Sequence, residues 1–558
     1  MAGRTSGPLD PPLPAIRYER DPDAAVAPLP HGYRRREPEK SALHSIIRQH
    51  LETFLAQARR LHGEGYPRFI EREFRRYLAC GILCHGFARV RCPECGQERL
   101  VGFSCKGRLC PSCVGRRMAD TAAYLVDQLL PEADYRQWVL TFPWTLRFRL
   151  AVDRRLFAAL LHTFLCTLFA WQRRRCRALG IPAGHTGAVS FVQRFGGALN
   201  FHPHVHSLVP DGLFVPASDG SLAFVPLPAP TDEEVAALAL KVAQRLTSVV
   251  ERLCDDIFET DALLQQTASA LQQALAAAVK APVPRDQLSL PVLDPQTPPK
   301  PLCARVAGFS LHAAQAVAAD DRDGLERLCR YGLRPPFAQE RLARREDGRV
   351  LYHLRRPWPH PQGATCLVLE PLDFLRRLAA LIPAPYAHTI RYHGCFANRA
   401  RSRDYLPAPP TPPAALASPQ AADSAAPPAA DSGTSGTAHP EPDRRRTPLP
   451  WAQLLRRVFF IDALKCPRCS AAMLVLALIS DPPVVGRILR HLRLPTDPPP
   501  LAPARGSAVA QLRLLCPPRH ADPDDPAGDP LDLIAAPHSR LDSAIDTADA
   551  FRETRPPP

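Results

Sequence analysis

Chemistry in this chain is concentrated in one short stretch, Asn200-Phe201-His202-Pro203-His204-Val205-His206-Ser207-Leu208. At the two-residue period of a strand, His202, His204 and His206 share one face and Phe201, Pro203 and Val205 the other. Two imidazoles at i and i+2 on a strand reach one divalent ion from the same side, which core packing does not require. The rival reading is a surface histidine cluster. A proline here removes a ladder donor from a paired strand, so a bulge is expected at Pro203.

Sulfur forms the second concentration. Cys92-Pro93-Glu94-Cys95 and Cys110-Pro111-Ser112-Cys113 have the ligand spacing of a four-thiolate zinc ribbon. Cys92, Cys95, Cys110 and Cys113 are therefore expected to hold one structural Zn²⁺. A redox dithiol would use one such pair in a strand-to-helix context. Cys80, Cys84 and Cys105 are surplus, with Cys105 the first substitute ligand. Arg89, Arg91, Arg99, Lys106, Arg108, Arg116 and Arg117 surround the knuckles, so the ribbon either tracks a phosphate backbone or merely holds the fold together. Cys466-Pro467-Arg468-Cys469 is half a site, expected to pair across a dimer or to bind nothing rather than to recruit Cys516.

The elements that must position these residues follow from periodicity. Apolar residues recur at helical steps from Leu43 to Leu61, with Ser41 as cap, and again from Phe69 to Leu78. Trp138 to Phe142 reads as a strand and Leu150 to Arg177 as an amphipathic helix. Val189 to Phe195 is the hairpin partner of the histidine strand, with Gly196-Gly197 between them and Pro210-Asp211-Gly212 after. Thr231 to Phe258 is a second long helix opened by a capping box. Residues 259–300 read as a helix followed by an excursion. A helix from Asp321 to Leu333 carries Arg327, Arg330 and Tyr331 before Pro335-Pro336 stops it. Val350 to Leu354 and Thr365 to Leu369 form a hairpin, and Leu372 to Ile382 is helical. Trp451 to Leu464 is a helix and Leu474 to Ile479 an apolar run.

With 558 residues the chain is long enough for about two or three domains with full cores. Its 64 prolines concentrate before Ser41, from Pro407 to Pro450 and after Pro495, which removes those segments from fold reasoning. A net charge of +15 favours a polyanionic partner, although arginine-rich tracts are also ordinary solvated faces. No uninterrupted apolar run is long enough to span a bilayer, and Met-Ala-Gly-Arg-Thr-Ser lacks an apolar signal core, so a cytoplasmic protein with no membrane partner is expected. Seventeen cysteines in that setting point to thiols and metal sites rather than disulfides.

A strand-borne His-x-His pair, a tyrosine on a separate helix and arginines around it have a common use. A metal polarises a phosphate, arginines hold its neighbours, and the phenol attacks phosphorus. At this point the residues resemble a known family. Cys92 to Cys95, Ser104-Cys105-Lys106-Gly107-Arg108, Cys110 to Cys113 and Arg116-Arg117-Met118-Ala119 are similar to the N-terminal zinc domain of the insertion-sequence-ninety-one family of transposases. Phe191-Val192-Gln193-Arg194-Phe195-Gly196, the histidine strand with Asp211-Gly212, Cys329 to Pro336 and Arg391-Tyr392-His393-Gly394 resemble its catalytic segments.

The resemblance implies a rolling-circle transposase of the histidine-hydrophobic-histidine (HUH) nuclease class that cleaves and rejoins single-stranded DNA, at its element's ends and at the target, through a 5′-phosphotyrosine. His204 and His206 would ligate a catalytic Mg²⁺ or Mn²⁺, with Gln193 or His202 as third ligand, Tyr331 as nucleophile, and Arg330 and Arg334 on phosphate. Many members carry two tyrosines on the nucleophile helix. Here Arg327 and Pro335 stand four residues either side of Tyr331, so the sequence resembles the single-tyrosine branch. The segment between Arg108 and Cys110 is shorter than the family pattern, which leaves the choice among Cys105, Cys110 and Cys113 open. Self-association is a further expectation.

The expected fold is α+β: a helical lead-in and zinc ribbon, then the central antiparallel sheet flanked by helices that the resemblance implies. The expected division is a disordered segment at 1–40, helices and a zinc-binding domain at 41–136, and a catalytic domain at 137–405. A linker follows at 406–449, a small helical segment with its own knuckle at 450–496, and a disordered tail at 497–558. Two rivals remain: a metal-dependent hydrolase or oxygenase using the histidine cluster on a small substrate, and a non-catalytic zinc-ribbon protein that binds nucleic acid.

Overall fold

The computed structural model describes residues 35–181, 183–253, 269–280, 300–355, 365–410, 449–459 and 463–505. The expected disorder before residue 35, in most of the linker and after residue 505 lies outside the described residues, as does Cys516.

The chain is α+β, organised on a six-stranded sheet in the order β13-β4-β5-β3-β9-β8. Its members are β3 (Tyr135–Thr141), β4 (Gly187–Phe195), β5 (Phe201–Pro210), β8 (Cys303–Val306), β9 (Phe309–Val317) and β13 (Ile390–Gly394), every neighbouring pair antiparallel. The histidine strand β5 is central, hydrogen-bonded to β4 on one side and β3 on the other. The bulge expected at Pro203 is present. Gln193 faces His204 and Phe195 faces Phe201, so Arg194 alone opposes His202 and Pro203. The β3 ladder ends at the Thr141–His204 pair, so the missing proline N–H costs no bond on that side.

Alternation along β5 sorts the two faces. Val205 and Val209 join Trp138, Leu140 and Phe142 beneath α5 (Arg154–Ala178) and α6 (Asp232–Leu253). The expected long helix is broken at Asp153, which ends α4 (Arg147–Val152) and caps α5 by accepting from the amides of Arg155 and Leu156 at 2.8 and 2.9 Å. The capping box at Thr231 and Glu234 is formed in both directions. Each such cap is worth about 1 kcal/mol, against ~1.5–3 kcal/mol for each buried Leu or Phe, so the sheet contact dominates. Among the described residues α5 alone is long and apolar enough to cross a bilayer, and its apolar face is packed on the sheet and on α6.

The opposite face, carrying His204, His206 and Leu208, is covered by α3 (Pro111–Tyr124), the turn Leu125–Leu129 and α8 (Arg322–Leu333). The N-terminal part consists of α1 (Ala42–His62), α2 (Arg68–Leu78), and the hairpin β1 (Phe87–Arg91) and β2 (Glu98–Gly102). Ser41 caps α1 as expected. Elsewhere lie the hairpin β6 (Gly212–Pro216) and β7 (Leu222–Pro226), α7 (Ala270–Lys280), α9 (Pro371–Leu381), and the small sheet of β10 (Leu342–Arg344), β11 (Val350–His353) and β12 (Cys366–Leu369).

Three ordered segments differ from expectation. Residues 35–40 are structured: Arg36 Nη2 donates to the Cys80 carbonyl at 2.9 Å. The C-terminal segment, with α10 (Trp451–Phe459), β14 (Leu474–Ile479) and α11 (Pro482–His491), returns to the N-terminal part. There β14 pairs with β1, and Val485 and Leu489 pack on Leu83 and Phe87. Residues 500–502 lie along α1, where Arg48 bonds Pro500 and Ala502. A strand pairing with a partner nearly four hundred residues earlier leaves no local trace in sequence.

Candidate active site

His204 and His206 are only 9% and 4% exposed, because β5 is central and α8 closes over this face. The His204 and His206 rings lie 5.0 Å apart, and those of His202 and His204 5.2 Å. His204 Nδ1–H donates to the His202 carbonyl at 2.8 Å, and His206 Nδ1–H to Gln137 Oε1 at 3.1 Å. Both bonds fix the tautomer that leaves Nε2 with its lone pair. His206 Nε2 is buried without a partner. Burial, with further opposition from nearby positive groups, pushes His204 down to about 4 and His206 to about 3, and His202 also falls well below its usual value. The imidazoles are therefore neutral at pH 7, the form that binds a metal.

Gln193, opposite His204 on β4, adds a third donor. Its Nε2 donates to the Tyr331 and Gly332 carbonyls at 2.8 and 3.1 Å, satisfying exposed acceptors at the end of α8. Its Oε1 is buried and unpartnered. Three donors are thus brought to one face with two orphaned atoms among them, which a divalent cation would satisfy. Two imidazoles and an amide oxygen are a borderline donor set, better suited to Mn²⁺ than to Mg²⁺.

The helix α8 is placed from both ends. Asp321 Oδ1 accepts from Gly324 N at 2.6 Å, and Arg322 donates to the Pro131 and Leu130 carbonyls. At the other end Gly332 presses on the sheet, since a Cβ there would lie 2.6 Å from the Phe191 ring. That close approach sets the Tyr331 ring edge-on to His206, with centroids 5.5 Å apart, while Tyr331 keeps 40% of its surface exposed. Arg334 lies over the Tyr331 ring at 5.0 Å.

Arg330 is directed elsewhere. Its guanidinium pairs with Glu326 at 2.9 Å, in a group that also holds Arg457 and Asp127. Around the histidine face, Arg147 Nε, Arg194 Nε, Arg334 Nε and Arg341 Nη1 are buried without hydrogen-bond partners. Desolvation lowers Arg147 and Arg194 to about 10, so an anion at this place would relieve a cost already present in the fold. A cavity of about 390 Å³ opens beside Gln193, Gly332 and Arg334 and is bounded across by Arg108 and Arg117 of the N-terminal part.

The four cysteines expected to share one ion do not meet. They fall into two tetrads: Cys80, Cys105, Cys110 and Cys113, and Cys92, Cys95, Cys466 and Cys469. The β1–β2 hairpin is the reason. Cys92 and Cys95 form its tip, whereas Cys80 and Cys105 flank its base, and a five-residue strand separates tip from base by roughly 16 Å. In the first tetrad the sulfurs of Cys80 and Cys113, Cys105 and Cys113, and Cys110 and Cys80 are 3.6, 3.5 and 3.6 Å apart. Amide N–H groups of Cys105 and Gly107 and the Arg36 guanidinium point at these sulfurs, as thiolates require. Cys105, read as the first substitute ligand, belongs to this tetrad. The expectation that Cys466 and Cys469 bind nothing or pair across a dimer gives way to their meeting Cys92 and Cys95 within the chain.

Sequence reading missed Gln137, which orients His206, and His312 on β9, which opposes Val139 on the same face and contributes to holding His206 neutral. Strand alternation from Tyr135 would have placed Gln137 beside the histidines had β3 been started there. Nothing local marked His312.

Comparison with known proteins points to transposases. Residues 46–142 match a family described as a transposase zinc-binding domain, and residues 187–403 one described as a putative transposase. The chain is 27% identical over 357 residues to the transposase for insertion sequence element IS801 of Pseudomonas savastanoi pv. phaseolicola, covering 62% of this chain and 74% of that protein. It is 24% identical over 322 residues to a putative transposase of Sinorhizobium fredii (strain NBRC 101917 / NGR234), covering 56% and 70%. No solved structure matches the chain.

Proposed function

The chain belongs to the insertion-sequence-ninety-one family of transposases, and from that membership and the site geometry we propose that it cleaves and rejoins single-stranded DNA through a phosphotyrosine at Tyr331. The observation that carries this reading is the Tyr331 ring packed 5.5 Å from His206, whose Nε2 is buried and unpartnered. His204 and His206, with Gln193 Oε1 favoured over His202 as third ligand, would hold Mg²⁺ or Mn²⁺, which polarises the scissile phosphate when bound.

This chain's own residues do the rest. Tyr331 Oη attacks phosphorus and loses its proton toward solvent at its exposed edge. The bond from phosphorus to the 3′-oxygen breaks, and that oxygen leaves and takes up a proton. The 5′-phosphate remains on the phenol, so the phosphodiester energy is kept and a later 3′-OH can reverse the step. Arg334, beside the phenol with an unpartnered buried Nε, holds the phosphate being attacked. Arg147, Arg194 and Arg341 receive its neighbours. Arg330, paired with Glu326, supports α8 rather than the DNA. The cavity bounded by Arg108 and Arg117 gives the strand a path between the zinc-binding domain and the sheet. Such a step acts inside the cytoplasm on DNA, and family membership displaces the small-molecule hydrolase and the non-catalytic binder as readings.

The test is incubation of the protein with single-stranded DNA carrying the element's flanking sequence and Mn²⁺. Wild type should give a covalent adduct that peptide mapping places on Tyr331, and Tyr331→Phe should bind the DNA yet form none. Mapping to Tyr392 or Tyr352 would overturn the role of Tyr331. Absence of any adduct from active protein would overturn the phosphotyrosine itself.

A further inference from the structure

The second thiol tetrad lies outside the site described above and joins two parts of the chain that the sequence separates widely. The geometry points to a second zinc site, made by Cys92, Cys95, Cys466 and Cys469, that clasps the C-terminal segment to the N-terminal sheet. The sulfurs of Cys92 and Cys469 are 3.4 Å apart, those of Cys95 and Cys466 3.5 Å, and all four lie within 4.8 Å of one another. A tetrahedron with Zn–S bonds of about 2.3 Å has sulfur–sulfur edges of roughly 3.8 Å, so the tetrad needs little adjustment to close on one ion.

The two halves are built alike. In Cys92-Pro93-Glu94-Cys95-Gly96 the Gly96 amide donates to the Cys92 carbonyl at 3.1 Å and the Cys92 amide to Gln97. In Cys466-Pro467-Arg468-Cys469-Ser470 the Ser470 amide donates to the Cys466 carbonyl at 3.0 Å and the Cys466 amide to Ala471. Gly96 and Ser470 both take positive φ, +71° and +61°. Serine rarely adopts that conformation, so the second knuckle keeps the ligand-presenting turn without the glycine that would ease it. Two matching turns whose sulfurs converge across an antiparallel strand pair are a built site. A lone knuckle would carry no such argument.

The clasp also has a mechanical purpose. The strand β14 pairs with β1, yet Leu474, Val475, Leu476 and Leu478 of β14 are all exposed, so side-chain burial does little to hold it. A four-thiolate ion at the end of that strand supplies the missing anchor. The same segment carries Arg457 on α10, whose guanidinium bonds Glu326 of α8 at 2.6 Å and Asp127 at 3.0 Å. Fastening the segment therefore keeps a cation between buried Glu326, on the helix that presents Tyr331, and half-buried Asp127, on the neighbouring turn Leu125–Leu129.

The inference is tested by zinc content per chain in the full-length protein, together with backbone hydrogen exchange, neither of which depends on DNA cleavage. Wild type should carry two Zn²⁺. The double variant Cys466→Ser/Cys469→Ser should keep one, with faster exchange across Leu474–Ile479. Cys469→His, which retains a zinc-ligating atom, should keep two. One ion in wild type, or two in the double variant, overturns the site. Unchanged exchange in a double variant that has lost one ion overturns the clasp. Should that variant fail to fold, the wild-type stoichiometry and the Cys469→His protein still decide.

Discussion

The thiol tetrads and the histidine face are both clusters of side chains of metal-ligating type, and they differ in what is left over. In each tetrad four sulfurs from this chain lie within 4.8 Å of one another, as many as a four-thiolate ion takes. On the histidine face the chain supplies His204, His206 and Gln193 and leaves His206 Nε2 and Gln193 Oε1 unsatisfied. A closed donor set has no position for a substrate and can only stabilise, whereas an open one has room for a reacting group. The second tetrad sits where the chain is short of core, in the small cluster of Val90, Cys92, Cys466 and Met473, whereas Cys80, Cys110 and Cys113 of the first belong to the larger core of the N-terminal part. The open set lies in the most deeply packed sheet, whose rigidity needs no ion.

That contrast predicts opposite consequences for comparable substitutions. The largest effect should come from Cys110→Ser, which breaks the first tetrad. Apparent zinc-binding free energies in small structural sites run to about 10–16 kcal/mol, so losing this one should unfold the N-terminal helices and hairpin. Circular dichroism and zinc content should fall together, and a protein that lost its zinc with its melting temperature unchanged would place the first tetrad outside the stabilising class.

His206→Ala should do the reverse. It removes a buried nitrogen that has no partner together with the bond to Gln137, so the melting temperature should fall far less than on loss of a tetrad, and affinity for single-stranded DNA, carried by arginines, should persist. Cleavage should vanish. Cleavage at the wild-type rate would show that the histidine face is as closed to chemistry as the tetrads.

A smaller effect is expected from Gln137→Ala. Its amide oxygen holds His206 in the tautomer with Nε2 free, and removing such an orienting partner typically costs about 10–100-fold in metal affinity or activity. The loss should be recovered in part by raising Mn²⁺, which distinguishes a weakened ligand from a damaged fold. No response to Mn²⁺ would assign Gln137 to packing alone.

The smallest effect separates the C-terminal segment's two attachments. Arg457→Ala leaves Glu326 and Asp127 with Arg330 and Arg322 as their remaining cations, so the loss stays below the ~3–5 kcal/mol of a buried pair left without a partner. These groups also keep a little solvent, which lowers the loss further. The variant should keep its zinc and exchange faster along α8, as read by hydrogen exchange.

Much of this was legible in the sequence, and the reason is periodicity. Alternation placed His202, His204 and His206 on one face, the proline required a bulge and received one, and Ser41, Thr231 and Asp321 marked helix starts through caps that act within a turn. The central antiparallel sheet came with the family resemblance, whereas Tyr331 on its own helix and the thiolate chemistry followed from residue type in the same way. Each is fixed by residue type and by neighbours a few positions away.

Tertiary structure alone decided which ligands meet. Two knuckles of correct spacing suggested one ion, but the intervening hairpin holds them apart by its own length and hands each pair to another partner. That Cys92 and Cys95 find Cys466 and Cys469 depends on β1 pairing with β14. Loop closure adds only about 0.6 kcal/mol for each doubling of length, so such distant pairing is energetically easy and invisible to local pattern. The same holds for Gln137 and His312, brought to the histidines by register across β3 and β9, and for Arg330, whose charge went to Glu326 rather than to the site. Residue type says which ligand a side chain can be; only the pairing of distant strands says which site it joins.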